Sequence, residues 1–277
     1  METGYLSELF GVAGKTVVVT GGGGVLCGTL SRALARLGAK IAVLDVNLEA
    51  AERVAAAIES DGGVAAPIRC NVLERAAVEQ AQEEVLGALG PVDVLINGAG
   101  GNRKEATTSP ELPFFDLPAE AIEWVFALNF TGVLLPSQVY GRGMAGRGHG
   151  TIVNIASMNA FRPLTRIPAY SAAKAAVANF TQWLAVHMAR EYSPAIRVNA
   201  IAPGFFLTEQ NRFLLTTDSD GSLTERGRAI IDHTPGGRFG TPDDLVAAVV
   251  WLLGDGARFV TGVVVPIDGG FSAFSGV

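Results

Sequence analysis

Two periods alternate along the chain. Short β-branched apolar runs at 15–20, 40–44, 64–70, 92–96, 151–156, 196–201 and 263–267 read as buried strands. Between them apolar residues recur at helical spacing, as Leu26, Leu30, Ala33, Leu34 and Leu37, and again as Val78, Ala81, Val85 and Leu89. Residues 48–60, a segment from 119 that reaches Asn129, and a long stretch through Tyr170 to Glu191 complete the helical set. Thr241-Pro242-Asp243-Asp244 is a helix start, with a threonine cap, proline in the first turn and acids on the positive end of the dipole. Strands alternating with helices predict one α/β domain over residues 1–277, a doubly wound parallel sheet of about seven strands with helices on both faces.

The joints between these elements carry the first chemical signal. Residues 15–20 run into Gly21-Gly22-Gly23-Gly24 and then into a helix. Strand, glycine turn and helix is how a Rossmann-type dinucleotide fold opens, with a helix N-terminus aimed at a pyrophosphate. The next strand ends at Asp45, where a carboxylate accepts hydrogen bonds from ribose hydroxyls and repels a 2′-phosphate. No cation at Gly22 or Val46 would offset that repulsion, so NAD is expected over NADP. The fourth strand ends in the small residues Asn97-Gly98-Ala99-Gly100-Gly101, which let a cofactor lie against the backbone. The fifth ends at Ser157, and the sixth leads into Pro203-Gly204. Residues 205–237 are irregular and aromatic, longer than an ordinary connection, and are expected to form a substrate lid.

Composition narrows the class. Apolar residues make up 49% of the chain and charged residues 17%, which suits a sheet covered on both faces or a large subunit interface. No apolar run reaches the roughly 20 residues of a membrane helix, and the N-terminus lacks the marks of a signal peptide. A net charge of −6 argues against nucleic-acid binding. The two cysteines, Cys27 and Cys70, are too few for a disulfide framework, so a cytoplasmic location is expected. The three histidines have no ligand spacing, and no metal is expected.

Tyr170 and Lys174 stand one above the other on a helical face. A phenol with a pKa of about 10 exchanges protons poorly near neutrality. An ammonium beside it favours the phenolate, so the oxygen can exchange a proton with an alcohol or carbonyl. Asn129, a residue disfavoured within a helix, calls for a task of its own.

Together these motifs resemble the short-chain dehydrogenase/reductase family from about Lys15 to Gly270. The resemblance implies that Tyr170 is the general acid/base and that Lys174 lowers its pKa and holds the nicotinamide ribose. It implies that Ser157 binds the reacting oxygen and that Asn129 supports a proton relay. By the same resemblance Gly21, Gly24, Val25, Leu26, Asp45, Asn71, Val72, Asn97, Gly98, Ala99, Pro203, Gly204 and Thr208 line the cofactor. In two places the chain departs from the family pattern. Val25 and Cys27 stand where the family has glycines, which predicts a crowded pyrophosphate approach, and Asn71 replaces an aspartate near the adenine.

Residues 157–165, 203–212 and 269–277 resemble the family's D-mannonate oxidoreductases, which interconvert D-fructuronate and D-mannonate. A sugar acid of that kind needs a cation for its carboxylate and polar partners for its hydroxyls. Asn159, Arg162, Gln210, Asn211 and Arg212 are the candidates, with Arg103, Lys104 and Arg166 behind them. Gluconate, another polyol or a hydrophobic secondary alcohol stays open as substrate, as does a nucleotide-binding protein without catalysis. The apolar composition and the resemblance together suggest a homotetramer with the last strand and the Phe-bearing tail between subunits.

Overall fold

The computed structural model of the chain describes residues 3–207, 215–217 and 222–276. Seven strands form one parallel sheet: β1 (Thr16–Thr20), β2 (Lys40–Asp45), β3 (Val64–Arg69), β4 (Val94–Asn97), β5 (Gly150–Ile155), β6 (Ile196–Pro203) and β7 (Val264–Ile267). Their order is β3-β2-β1-β4-β5-β6-β7, so the direction of winding reverses between β1 and β4. A doubly wound sheet opens a crevice at the strand C-termini at that reversal. The expected strands agree with these to within two residues at each end. β3 takes a sheet edge, where Pro67, which has no N–H to donate, is tolerated.

Side-chain alternation divides the core into two layers. Val17 and Val19 pack beneath α2 (Val25–Arg36), α3 (Leu48–Ser60) and α9 (Val246–Leu253) through Leu30, Leu34, Ile58, Val249 and Leu252. Val18, Leu95, Ile152 and Val198 face α4 (Arg75–Leu89), α6 (Gly132–Arg147) and α7 (Pro168–Glu191) through Val78, Val85, Tyr140, Met144 and Met188. Each aliphatic side chain buried this way contributes about 1.5–3 kcal/mol. The core therefore fixes the strand ends on which the site is built.

Three features depart from the expected elements. An N-terminal helix, α1 (Thr3–Phe10), which the apolar pattern did not single out, packs on the residue 255–257 turn and α9. The segment from 119 is divided into α5 (Ala119–Phe126), a π-turn (Ala127–Thr131) and α6. A short helix, α8 (Glu225–Asp232), capped by Thr224, occupies part of the expected lid. Thr241 opens the last helical segment with a capping box to Asp244, which Arg238 grips with two hydrogen bonds of 2.7 and 2.8 Å.

Candidate active site

A cavity of about 340 Å³ opens at the C-terminal edge of β4, β5 and β6, lined by the start of α2, Gly98, Gly100, Gly101, Ser157, Tyr170, Lys174 and residues 203–206. Ser157 comes off the end of β5 and is buried. Pro168 starts α7 with its φ already helical, which sets Tyr170 and Lys174 in the first two turns, facing Ser157. Lys174 is 4% exposed and donates from Nζ to the carbonyl of Ile155 at 2.8 Å. A Cβ on Gly100 would lie 2.7 Å from Asn129 Oδ1 and 3.3 Å from Lys174 Nζ. Only glycine leaves room there for both groups to converge.

The π-turn accounts for Asn129. Its extra residue turns the side chain to the β4 loop, where Nδ2 donates to the carbonyl of Gly101 at 2.6 Å and Oδ1 accepts the Gly101 N–H at 3.1 Å. A further bond from Nδ2 to Val125 O at 2.8 Å commits both amide hydrogens, while Oδ1 keeps one lone pair. Asn129 thus clamps the glycine-rich wall of the cavity.

Electrostatics differ from the sequence expectation in one respect. Burial pushes the Tyr170 phenol above its usual range, and the opposing pull comes from the Ser157 hydroxyl. Lys174 Nζ lies 5.6 Å from the centre of the Tyr170 ring, and burial pushes its own pKa down to about 8. For the phenol, burial is the larger effect and sets the net direction upward.

At the other end of the crevice, backbone donors are left free. Gly24 caps α2 without a side-chain hydrogen bond, so the first N–H groups of the helix, from Val25 onward, have neither intrahelical nor side-chain partners. Such a terminus fits a diphosphate. Gly21 has φ +63°, and a Cβ on it would lie 2.9 Å from the Ala99 backbone, which lets the turn press against β4. Of the two side chains expected to crowd this approach, only Val25 faces outward, 48% exposed. Cys27 is buried with its sulfur over Gly98, where any Cβ would strike it. Gly28, not position 27, provides close helix packing, with a Cβ position 3.2 Å from Val54. Asp45 Oδ2 accepts the Gly23 N–H at 3.0 Å and Oδ1 the Asn47 N–H at 2.9 Å, each oxygen keeping a lone pair for a ribose. Thr20 Oγ1 accepts from Gly98 and Ala99 N–H groups at 3.1 and 3.2 Å and joins the ends of β1 and β4.

The remaining expected residues are not all at the cavity. Asn97 is 1% exposed and directs its amide inward, donating to Ser137 at 3.0 Å and Asn154 at 2.9 Å. Val72 is buried against Gly132, so it offers a ligand backbone rather than side chain. Asn71 bonds Leu73 N–H and Glu74 at the end of β3. Pro203, Gly204, Ser157, Tyr170, Lys174, Gly98 and Leu26 line the cavity, and Asn159 sits buried behind Ser157. Arg162 is exposed on the loop before α7. Arg103 stacks over Trp124, 4.7 Å from the ring centre, and pairs with Glu105 at 3.2 Å. Thr208, Gln210, Asn211 and Arg212 lie outside the described residues. The sequence reading missed the Ile155 carbonyl under Lys174, the hold of Asn129 on the Gly101 backbone, and the bond from Ser171 to Asn159. Backbone groups leave no mark in composition, and Ser171 was hidden beside the more telling Tyr170.

Comparison with known proteins adds a family. The short chain dehydrogenase family model matches residues 15–218. An uncharacterised oxidoreductase of Bacillus subtilis is 48% identical over 275 residues, covering 96% of this chain and 98% of that one. A crystal structure of a candidate D-mannonate oxidoreductase from Haemophilus influenzae with bound NAD superposes with a TM-score of 0.91 at 48% identity, covering 96% and 98% of the two chains. A gluconate 5-dehydrogenase from Burkholderia cenocepacia, in complex with NADP and tartrate, matches with a TM-score of 0.85 at 32% identity over 97% and 99%.

Proposed function

Because the chain belongs to the short-chain dehydrogenase family, we propose that it is an NAD-dependent sugar-acid dehydrogenase, interconverting D-fructuronate and D-mannonate. As a family member it is an NAD(P)-dependent oxidoreductase acting on CH–OH groups. The observation that carries the reading is the convergence of Ser157, Tyr170 and Lys174 on one cavity at the strand C-termini. Bound nicotinamide supplies or accepts the hydride at the carbon that carries the reacting oxygen.

In the reducing direction Tyr170 donates its proton to that oxygen as negative charge develops, and Ser157 hydrogen-bonds the same atom. Such bonds strengthen in the transition state and lower the barrier. Lys174, beside the Gly100 backbone, would hold the nicotinamide ribose. Asn129 keeps the Gly101 wall in register and links Lys174 toward solvent as a proton relay. The α2 N-terminus with Gly21, Gly24, Val25 and Leu26 holds the pyrophosphate, and Asp45 the adenosine ribose. Asn71 and Val72 border the adenine; Ala99, Gly98, Pro203, Gly204 and Thr208 border the nicotinamide half.

NAD is preferred on the charge of Asp45, and the Haemophilus structure with NAD supports that choice. The sugar-acid assignment is supported by that relative's name and by the Burkholderia structure, in which tartrate, a hydroxy acid, accompanies the cofactor. Phe205 and Phe206 line the cavity, which supports a lid role for the segment they begin, and Arg162 is the proposed partner of the substrate carboxylate. The chain works in the cytoplasm as a homotetramer. In support, β7 is a half-exposed sheet edge, and Trp183 and Tyr192 on and after α7 are each 57% exposed. No helix among the described residues is long and apolar enough to cross a membrane.

The test is oxidation of NADH and of NADPH with D-fructuronate beside 5-keto-gluconate and a steroid ketone. A specificity constant for D-fructuronate at least tenfold above the others supports the proposal. Preference for 5-keto-gluconate transfers the assignment to gluconate, and no sugar-acid turnover removes it.

A further inference from the structure

Asn159, which the sequence offered as a substrate contact, is 5% exposed and stands behind Ser157. Its amide can point only one way. Oδ1 accepts the backbone N–H of Leu164 at 3.0 Å and the hydroxyl of Ser171 at 3.3 Å. A backbone N–H can only donate, so rotating the amide would set donor against donor. Nδ2 therefore faces Ser157 and donates to Oγ at 3.2 Å, while the backbone N–H of Asn159 donates to the same oxygen at 3.3 Å.

A serine hydroxyl has two lone pairs and one proton. Both groups that Asn159 turns toward Oγ are donors, and neither can take that proton. The hydroxyl hydrogen must leave on the opposite side, toward the cavity that Ser157 and Tyr170 line together. We propose that Asn159 is a positioning residue that fixes the polarity of Ser157, making it a one-way donor into the cavity: toward the Tyr170 oxygen when the site is empty and to the reacting oxygen when substrate is bound. The inference rests on the reading of Tyr170 as the acid/base. A serine free to turn would present a lone pair to the developing alkoxide part of the time, which opposes the charge the site must stabilise.

Asn159→Asp inverts the polarity with little change in shape. One carboxylate oxygen keeps the bonds from Leu164 and Ser171, while the other becomes an acceptor that captures the Ser157 proton. Asn159→Ala removes the side-chain donor, keeps the backbone N–H on Ser157 Oγ, and leaves the hydroxyl able to point outward. The expected order is therefore that Asp lowers kcat by about 10²–10³-fold, the cost of a lost oxyanion donor. Ala lowers it less, KM is unchanged in both, and the Asp variant regains rate as acid pH protonates its carboxyl. A scaffold role predicts the reverse order, Ala worse than Asp, and a substrate contact predicts a raised KM with kcat kept; either outcome overturns the proposal.

A second readout needs no substrate. Ultraviolet difference titration of each variant against its Tyr170→Phe counterpart gives the phenol pKa, which is expected to rise in the Asp variant. The rise should shrink when Ser157→Ala is added, because only the direct charge effect then remains. An equal rise in both backgrounds overturns the polarity argument, even where no sugar acid is turned over, so that failure is separate from failure of the activity assignment. Should the Asp variant not fold, Asn159→Ala decides: its phenol titration is expected to move upward with KM unchanged, and an unmoved titration overturns the proposal.

Discussion

Replacing Lys174 by methionine should stabilise the nucleotide-free protein while removing its activity. Lys174 is 4% exposed, and burial lowers its pKa from the ordinary 10.5 to about 8. Near neutrality the folded chain therefore keeps the ammonium charged at a cost of about 3 kcal/mol, since each pH unit between folded and unfolded pKa is worth about 1.4 kcal/mol. Methionine retains the apolar stem and discards the charge. It also leaves the Ile155 carbonyl without its 2.8 Å donor, which costs about 1–2 kcal/mol. The difference favours the variant by about 1–2 kcal/mol at pH 7, a rise in Tm of about 2–4 °C for a chain of this length. The pH dependence distinguishes this cause from better packing. The unfolded lysine holds its proton up to about 10.5 and the folded one only to about 8, so the unfolded state binds more protons between those values. Wild-type stability then rises relative to the variant across that window, and by pH 10 the lost hydrogen bond should leave the variant the less stable of the two. Urea unfolding of both proteins at pH 7 and pH 10, without nucleotide, measures this. A variant already less stable at pH 7, or a difference independent of pH, would refute the reasoning.

Other substitutions probe the same crevice. Tyr170→Phe removes one oxygen and should lower kcat by about 10²–10⁴-fold, with NADH affinity by fluorescence titration unchanged; turnover near wild type would exclude Tyr170 as the acid. Asp45→Ala strips an acceptor from the Gly23 and Asn47 N–H groups, so unfolding should show a loss of about 1–2 kcal/mol. The same variant should shift the NADPH-to-NADH ratio of kcat/KM upward, and an unchanged ratio would count against its ribose role. Gly98→Ala drives a Cβ into Cys27 and to 2.8 Å from Thr20 O, an overpacking worth about 1–3 kcal/mol in urea unfolding. Adding Cys27→Ala should recover only part of it, because the Thr20 carbonyl stays in place.

The order of elements was written in the chain because strands buried on both faces must be apolar throughout and their crossover helices must be amphipathic. Glycine turns at 21–24 and 98–101 marked the crevice for the same local reason: a backbone that bends or approaches a neighbour closely tolerates no side chain. Tyr170 and Lys174 could be paired from spacing alone, since one helical turn separates them. Direction and environment were another matter. Asn97 and Asn159 read as ligand contacts, yet the fold turns one toward Ser137 and Asn154 and the other toward Ser157, Leu164 and Ser171. Cys27 read as an obstruction, and helix α2 carries it round to the sheet above Gly98. Tyr170 was expected to be acidified by its neighbour, but burial of both groups reverses the net direction in the protein without nucleotide. Periodicity and turn chemistry are properties of neighbouring residues, so sequence alone decides them. Where a polar side chain points, and what its charge costs, depends on groups from a few positions away, as at Asn159, to more than fifty, as at Asn97, which only the packed fold sets in place.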